Sequence, residues 1–265
     1  MSPSSCSSPS HVLLDIEGTT CPVSFVAETL FPYASEHLGA YLAVHAHDPQ
    51  IQQLVQELEP IWQHDTAPKA QQLLSQRVMV ANPAQPADAQ PVDVMAYLPY
   101  LQWLIEMDRK VTPLKELQGK IWAQGYATGE LIGPLFADVA PALQRWHQQG
   151  LVLAVYSSGS VGAQQLIYGH SNAGDLRTRF SHWFDTRIGA KQSPQSYHDI
   201  AKAMDVSPKE VMFISDSIGE CTAANEAGMR VCFSDREGNP ERQPGRFKRI
   251  GSLLDLQLNQ GPTIL

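Results

Sequence analysis

The run His11-Val12-Leu13-Leu14-Asp15-Ile16-Glu17-Gly18-Thr19-Thr20 takes an apolar strand, Val12–Leu14, straight into two acids, then a glycine and two threonines. Side chains alternate faces along a strand, so the pleat predicts Asp15 and Glu17 on one side, where the strand runs out. Adjacent carboxylates repel. Their pairing calls for a hard cation between them or a proton to pass. Parallel sheets hold ligands at the carboxyl ends of their strands, which is where these acids stand.

Outward from this run, Leu151–Tyr156, Val211–Ser215 and Val231–Phe233 read as further buried strands rich in Val, Leu, Ile and Phe. Gln149-Gly150, Ser207-Pro208 and Ala227-Gly228 mark the turns before them, and Val139–Gln148, Gln195–Ala203 and Glu220–Ala227 read as helices between them. Strand–helix alternation predicts an α/β fold, a parallel sheet covered on both faces. The alternation stops over 25–130. There Ile51, Leu54, Val55, Leu58 and Ile61 or Trp62, then Met95–Met107, then Leu114, Leu117, Ile121 and Trp122, keep helical spacing around a Pro-, Ala- and Gln-rich loop at Ala81–Val92. The domains expected are a tail over 1–10, which its Ser- and Pro-rich composition reads as disordered, a core of 11–24 and 131–257, and a helical insert of 25–130. An insert after the first strand is placed to lie above the strand ends as a lid. The polar end after Gln257 reads as frayed.

At 265 residues, 43% hydrophobic and 17% charged, the composition is that of an ordinary globular protein. A net charge of -8 argues against a nucleic-acid partner but not against a phosphate ligand, because a cation and a lysine can reverse the sign locally. Cys6, Cys21, Cys221 and Cys232 form no CxxC pair and no zinc spacing, so free thiols in a reducing compartment are expected. The start lacks the charged and apolar regions of a secretory signal, and no apolar run reaches the roughly 18 residues of a span. The expectation is a cytoplasmic protein with no membrane partner. Oligomeric state leaves no mark on the sequence, and a monomer is the default expectation.

The other strand ends carry matching chemistry. Ser157-Ser158-Gly159-Ser160 follows one strand with hydroxyls and free amides, a phosphate-binding arrangement. Asp216 ends another strand, with Glu220 one helical turn on, and Lys191 stands before a further helix. Each has a plainer explanation, as a helix cap or a surface lysine. Their joint order along the chain is not what capping requires.

The four segments VLLDIEGTT, YSSGS, GAKQSPQSY and FISDSIGE resemble the four motifs of the haloacid dehalogenase-type phosphohydrolases over nearly the whole chain. Glu17 stands where that superfamily usually has a second aspartate. DIEGTT, together with YSSGSVGAQQLIYGHSNAGDL and LKELQGKIWAQGY, resembles more closely the enolase-phosphatase family of methionine salvage, in which the pair is Asp-x-Glu. The resemblance implies a Rossmann-like, HAD-like core with an all-helical cap. It implies a Mg2+-dependent phosphoric monoester hydrolase of the acireductone synthase type, with one ion per subunit. Its substrate is a small phosphate ester, 2,3-diketo-5-methylthiopentyl-1-phosphate, which is enolised and then dephosphorylated.

Under that resemblance Asp15 is the nucleophile and Glu17 the general acid and base. Ser157, the Ser158 amide and Lys191 hold the phosphate oxygens. Asp15, the Glu17 carbonyl and Asp216 hold the metal, with Glu220 outside them. Phosphate monoesters hydrolyse so slowly that enzymes accelerate them up to about 10²¹-fold, so these effects must act together. The longer Glu17 side chain reaches about 1.5 Å beyond an aspartate. Proton removal from carbon could fall to Glu17 or to Lys115, Glu116 or Gln118 of the insert, residues a solvated helix face carries as readily. Trp103, Trp122 and Tyr126 could meet the methylthio tail, though core packing explains them at least as well.

Other classes fit less well. Gly159-Ser160-Val161-Gly162 lacks the third glycine of a dinucleotide site, and no serine of the turn stands in GxSxG. A decayed, non-catalytic module would have lost reactive residues that all four motifs keep. A phosphatase of the same superfamily without enolase activity remains the alternative.

Overall fold

The chain enters the computed structural model, which describes residues 8–80 and 92–258, through β1, His11–Leu14. The expectations for the tail before residue 8, the loop 81–91 and the end beyond 258 lie outside the described residues. The chain divides into two compact units, Val26–Glu130 and the remainder on either side of it.

The unit Val26–Glu130 is helical: α1 (Phe31–Val44), α2 (Pro49–His64), α3 (Pro68–Val80), α4 (Leu98–Glu106) and α5 (Thr112–Thr128). The apolar run from Met95 was expected as one helix. It forms instead a tight turn at Val94–Tyr97, capped by Asp93, and then α4, which has Pro99 in its first turn. Proline lacks the N–H a continuous helix needs and suits a helix start. Trp62 stacks on Tyr100 at 4.5 Å between centroids, and its indole donates to the Ala70 carbonyl at 3.0 Å.

The other unit continues with α6 (Val139–Gln148), β2 (Val152–Tyr156), α7 (Val161–Gly169), β3 (His182–Phe184), α8 (Pro194–Ala203), β4 (Val211–Ser215), α9 (Ile218–Glu226), β5 (Arg230–Ser234) and β6 (Lys248–Ile250). The six strands are parallel, in the order β3-β2-β1-β4-β5-β6. On one face Leu13, Ala154 and Phe213 pack with Tyr197, Ile200 and Ala201 of α8 and Ala223 and Ala224 of α9. α6 and α7 pack against β2 and β3. The order reverses between β1 and β4, and such a switch point opens a crevice beyond the strand ends. Among the described residues no helix is long and apolar enough to cross a membrane.

Candidate active site

Asp15 follows β1 at that crevice, its amide donating to the Ile214 carbonyl of β4 at 3.0 Å. Strand pleating does not carry on to Glu17, contrary to expectation. β1 ends at Leu14, and the amides of Thr19, Thr20 and Cys21 converge on the Ile16 carbonyl at 3.1, 2.8 and 2.9 Å. This turn, and not alternation, sets the half-buried Glu17, whose backbone pairs with Cys21. Burial, with the Glu17 charge beside it, pushes the Cys21 thiol up to about 12. Gly18 sits at φ 70°, and a β-carbon there would stand 2.0 Å from Asp216 Oδ2. Only glycine meets both demands.

Lys191 is no surface lysine. Its side chain is 11% exposed, and Nζ lies 2.6 Å from Asp15 Oδ1 and 2.8 Å from Glu220 Oε2. Burial works against its charge, yet Asp15 and Glu220 hold the ammonium above the usual lysine range. Three successive carbonyls of its loop each accept a side-chain hydroxyl. Tyr156 donates to Gly189 at 2.9 Å, Ser196 to Ala190 at 2.8 Å and Tyr197 to Lys191 at 2.7 Å. Sequence reading missed all three, because a tyrosine in an apolar strand or a serine and tyrosine at the start of a polar helix gives no sign of its partner.

Asp216 directly follows β4 and does not cap α9, whose Ile218 amide is met by Glu241 at 2.7 Å. Burial and the charges of Asp15 and Glu220 push the Asp216 carboxyl up to about 7. Burial and then Asp15 also raise Glu220. Ser215, the last residue of β4, lies 3.2 Å from Asp15 Oδ2 and 2.9 Å from Glu220 Oε2, so its one proton serves two carboxylates. Three acids thus share one ammonium.

Among the described residues no three Asp, Glu, His or Cys side chains form a metal cage by themselves. Mg2+ does not need one. It takes one or two carboxylates, with phosphate and water completing its shell. Asp15 and Asp216, with excess negative charge between them and a backbone turn alongside, suit such an ion.

Ser157 is buried and Ser158 exposed after β2. Ser157 Oγ accepts from the Gly159 amide at 3.2 Å, while the capping expected of this cluster falls to Ser160, which accepts from Ala163 at 3.3 Å. The Val161 amide at the start of α7 is already met by Asp185 at 3.4 Å, the Ser157 amide by the Phe184 carbonyl at 3.2 Å and the Gly159 amide by Ser157 Oγ, which leaves the Ser158 and Ser160 amides of the turn to meet an anion. In the helical unit Lys115 and Glu116 are exposed and Gln118 is buried. Trp103, Trp122 and Tyr126 are buried there, the Trp122 indole donating to Leu30 at 2.7 Å, as core packing requires.

Known proteins resemble this chain in sequence and fold. Residues 9–228 match the haloacid dehalogenase-like hydrolases. The enolase-phosphatase E1 of Synechococcus sp. (strain RCC307) is 48% identical, covering 95% of each chain. That of Prochlorococcus marinus (strain MIT 9313) is 46% identical over 92% of this chain and 96% of its own. The crystal structure of the UTR4 protein of Saccharomyces cerevisiae superimposes with a TM-score of 0.68 at 31% identity, over 94% of this chain and 100% of that one. This chain belongs to the enolase-phosphatase E1 family of the haloacid dehalogenase-like hydrolases.

Proposed function

We propose that the chain enolises 2,3-diketo-5-methylthiopentyl-1-phosphate and then dephosphorylates the enol to the acireductone 1,2-dihydroxy-3-keto-5-methylthiopentene. The observation that carries the reading is the convergence of Asp15, Lys191, Glu220 and Asp216 at the β1–β4 switch point, in a chain of this family. A carboxylate that attacks phosphorus needs charge neutralisation beside it, and Lys191 is held within 2.6 Å of Asp15.

In this mechanism an Asp15 oxygen bonds to phosphorus as the bond from phosphorus to the ester oxygen breaks. Glu17 gives a proton to the leaving oxygen. Water then attacks the phosphorus of the aspartyl-phosphate, Glu17 takes its proton, and phosphate departs with the Asp15 carboxylate restored. Ser157, the Ser158 amide and Lys191 hold the non-bridging oxygens. Glu220, beside Lys191 and Ser215, keeps the ammonium aimed. Asp15, the Glu17 carbonyl and Asp216 are the proposed holders of one Mg2+, with Glu220 in its outer surroundings. The ion supplies charge stabilisation that lets an anionic nucleophile meet an anionic phosphate. Residues 11–24 and 131–257 form the proposed catalytic core and 25–130 the cap, acting as a cytoplasmic monomer.

The test follows enol absorbance and phosphate release together on the diketo phosphate, with and without Mg2+. Absorbance rising ahead of phosphate, both requiring Mg2+, is the expected result. Phosphate released from simple esters, with the diketone untouched, would make the chain a phosphatase without enolase activity.

A further inference from the structure

The turn after Asp15 is gripped from outside by the last residue of β5 and the segment that follows it. The Gly18 carbonyl accepts from Ser234 Oγ at 2.9 Å and from Asn239 Nδ2 at 2.9 Å. The Thr19 carbonyl accepts from two guanidinium nitrogens of Arg236, at 3.1 and 3.3 Å. Asn239 Nδ2 donates also to the Ser234 carbonyl at 3.2 Å. Two carbonyls on one side of the carboxamide fix which way it faces, because a flip would set oxygen against oxygen.

Asn239 Oδ1 then points elsewhere, and it is buried with no donor among the described residues, in a residue only 6% exposed. It lies 3.0 Å from the point where a Gly18 β-carbon would stand, and Asp216 Oδ2 lies 2.0 Å from that same point. Two acceptors converge on one small space. With a cation beside it holding Asp216 in its ionised form, neither that carboxylate nor the amide oxygen can supply the proton the other lacks. A buried acceptor left without a donor is costly, so in that state the space calls for a donor that the described residues do not supply. Water fits that need, because it donates twice and can be held by a cation through its oxygen.

We propose that Asn239 belongs to the cation site, its Oδ1 accepting a hydrogen bond from a water of the ion's hydration shell beside Asp216. The inference rests on the Mg2+ reading of the proposed function. Through its two ends Asn239 ties the backbone of the acid turn to the water around the ion, which makes it a positioning residue. It comes from a segment outside the four motifs.

The test is direct Mn2+ binding to the full chain without substrate, read from the electron paramagnetic resonance of the free ion. Asn239→Ala is compared with Ser234→Ala, which also removes one hydrogen bond from the Gly18 carbonyl but leaves Oδ1 in place. Thermal melting in chelator shows that each variant folds, and Asn239→Ser stands in if the alanine variant does not. Loss of a group that orients the surroundings of a metal weakens binding by about 10- to 100-fold. That loss is expected for the Asn239 variant, with Ser234→Ala binding Mn2+ as the unsubstituted chain does. Unchanged affinity in the Asn239 variant, or an equal loss in Ser234→Ala, overturns the proposal. No Mn2+ binding by the unsubstituted chain overturns it together with the metal of the proposed function.

Discussion

Lys191 Nζ stands 2.6 Å from Asp15 Oδ1, although 176 positions separate the two residues in the chain. The contact joins the end of β1 to the loop before α8 and puts a cation against the proposed nucleophile. It also leaves Asp15 an oxygen, Oδ2, turned to Ser215. Asp15→Asn keeps the shape and removes both the charge and the capacity to form an acyl phosphate. Phosphate release from the diketo ester is expected to vanish while the melting temperature shows a folded protein. Turnover above background would remove Asp15 as nucleophile.

Lys191→Ala tests the other partner. Loss of one electrostatic donor to a transition state costs about 100- to 1,000-fold in kcat, about 3–4 kcal/mol, and a loss of that size in phosphate release is expected. The variant also leaves Asp15, Asp216 and Glu220 without their ammonium. Burial and mutual repulsion already raise Asp216 to about 7, above its ordinary value of 3.8. A carboxyl raised in the folded state makes the folded chain bind more protons than the unfolded one, so stability falls as pH rises through that range. Melting in chelator should therefore drop between pH 6 and pH 8, and the drop should be larger in Lys191→Ala, because Lys191 lowers the Asp216 value. A drop of the same size in both proteins would show that the lysine does not neutralise the cluster.

The three hydroxyls on the Lys191 loop give a milder variant. Tyr197→Phe removes the donor to the Lys191 carbonyl and leaves the ring, which meets Tyr156 and Phe213 edge to face, in place. An unsatisfied buried carbonyl costs about 1–3 kcal/mol. Stability should fall by about that amount in denaturant melts, and kcat should fall more than KM rises, because in the proposed mechanism the loop would still hold phosphate but aim the ammonium less well. A change in stability with kcat untouched would reduce Tyr197 to a packing role.

Much of this was legible in the sequence because the strands that carry the site are buried on both faces. Val12–Leu14, Val211–Ser215 and Leu151–Tyr156 are continuous apolar runs ending in chemistry, and a parallel sheet gives its strand ends that meaning. β3 and β6 were missed for the opposite reason. His-Trp-Phe at 182–184 is half-buried, and Lys-Arg-Ile at 248–250 is mostly exposed, as charged edge strands are. The helical unit was readable as helices from periodicity, but Pro99 split one of them. Within the site, the acids and the lysine could be named. Tyr156, Tyr197 and Asn239 could not, because their hydrogen bonds go to distant backbone, and neither could Ser215, whose hydroxyl meets the carboxylates of Asp15 and Glu220; no local pattern encodes such partners.

In the helical unit, Glu59 accepts two hydrogen bonds from Arg77, at 2.5 and 2.6 Å, one from Gln63 at 2.8 Å and one from the Tyr97 hydroxyl. The guanidinium lies over the rings of Trp62 and Tyr97, 4.8 Å from each centroid. Hydrogen bonding to Arg77 pulls the Glu59 carboxyl down to about 2 from 4.5, against burial that raises it and with help from Tyr97 and Gln63. A depressed carboxyl stabilises the fold fully above its unfolded value, and this contribution fades as pH falls from 4.5 toward 2. Glu59→Gln should therefore melt below the unsubstituted protein at pH 7, and the gap should narrow as pH falls from 4.5 to 3 and both carry a neutral or partly neutral group. Partial solvent exposure screens the pair, so added salt should shrink the gap at pH 7 as well. A gap that stays constant across this range would assign the loss to altered packing around Trp62 instead of to the charge.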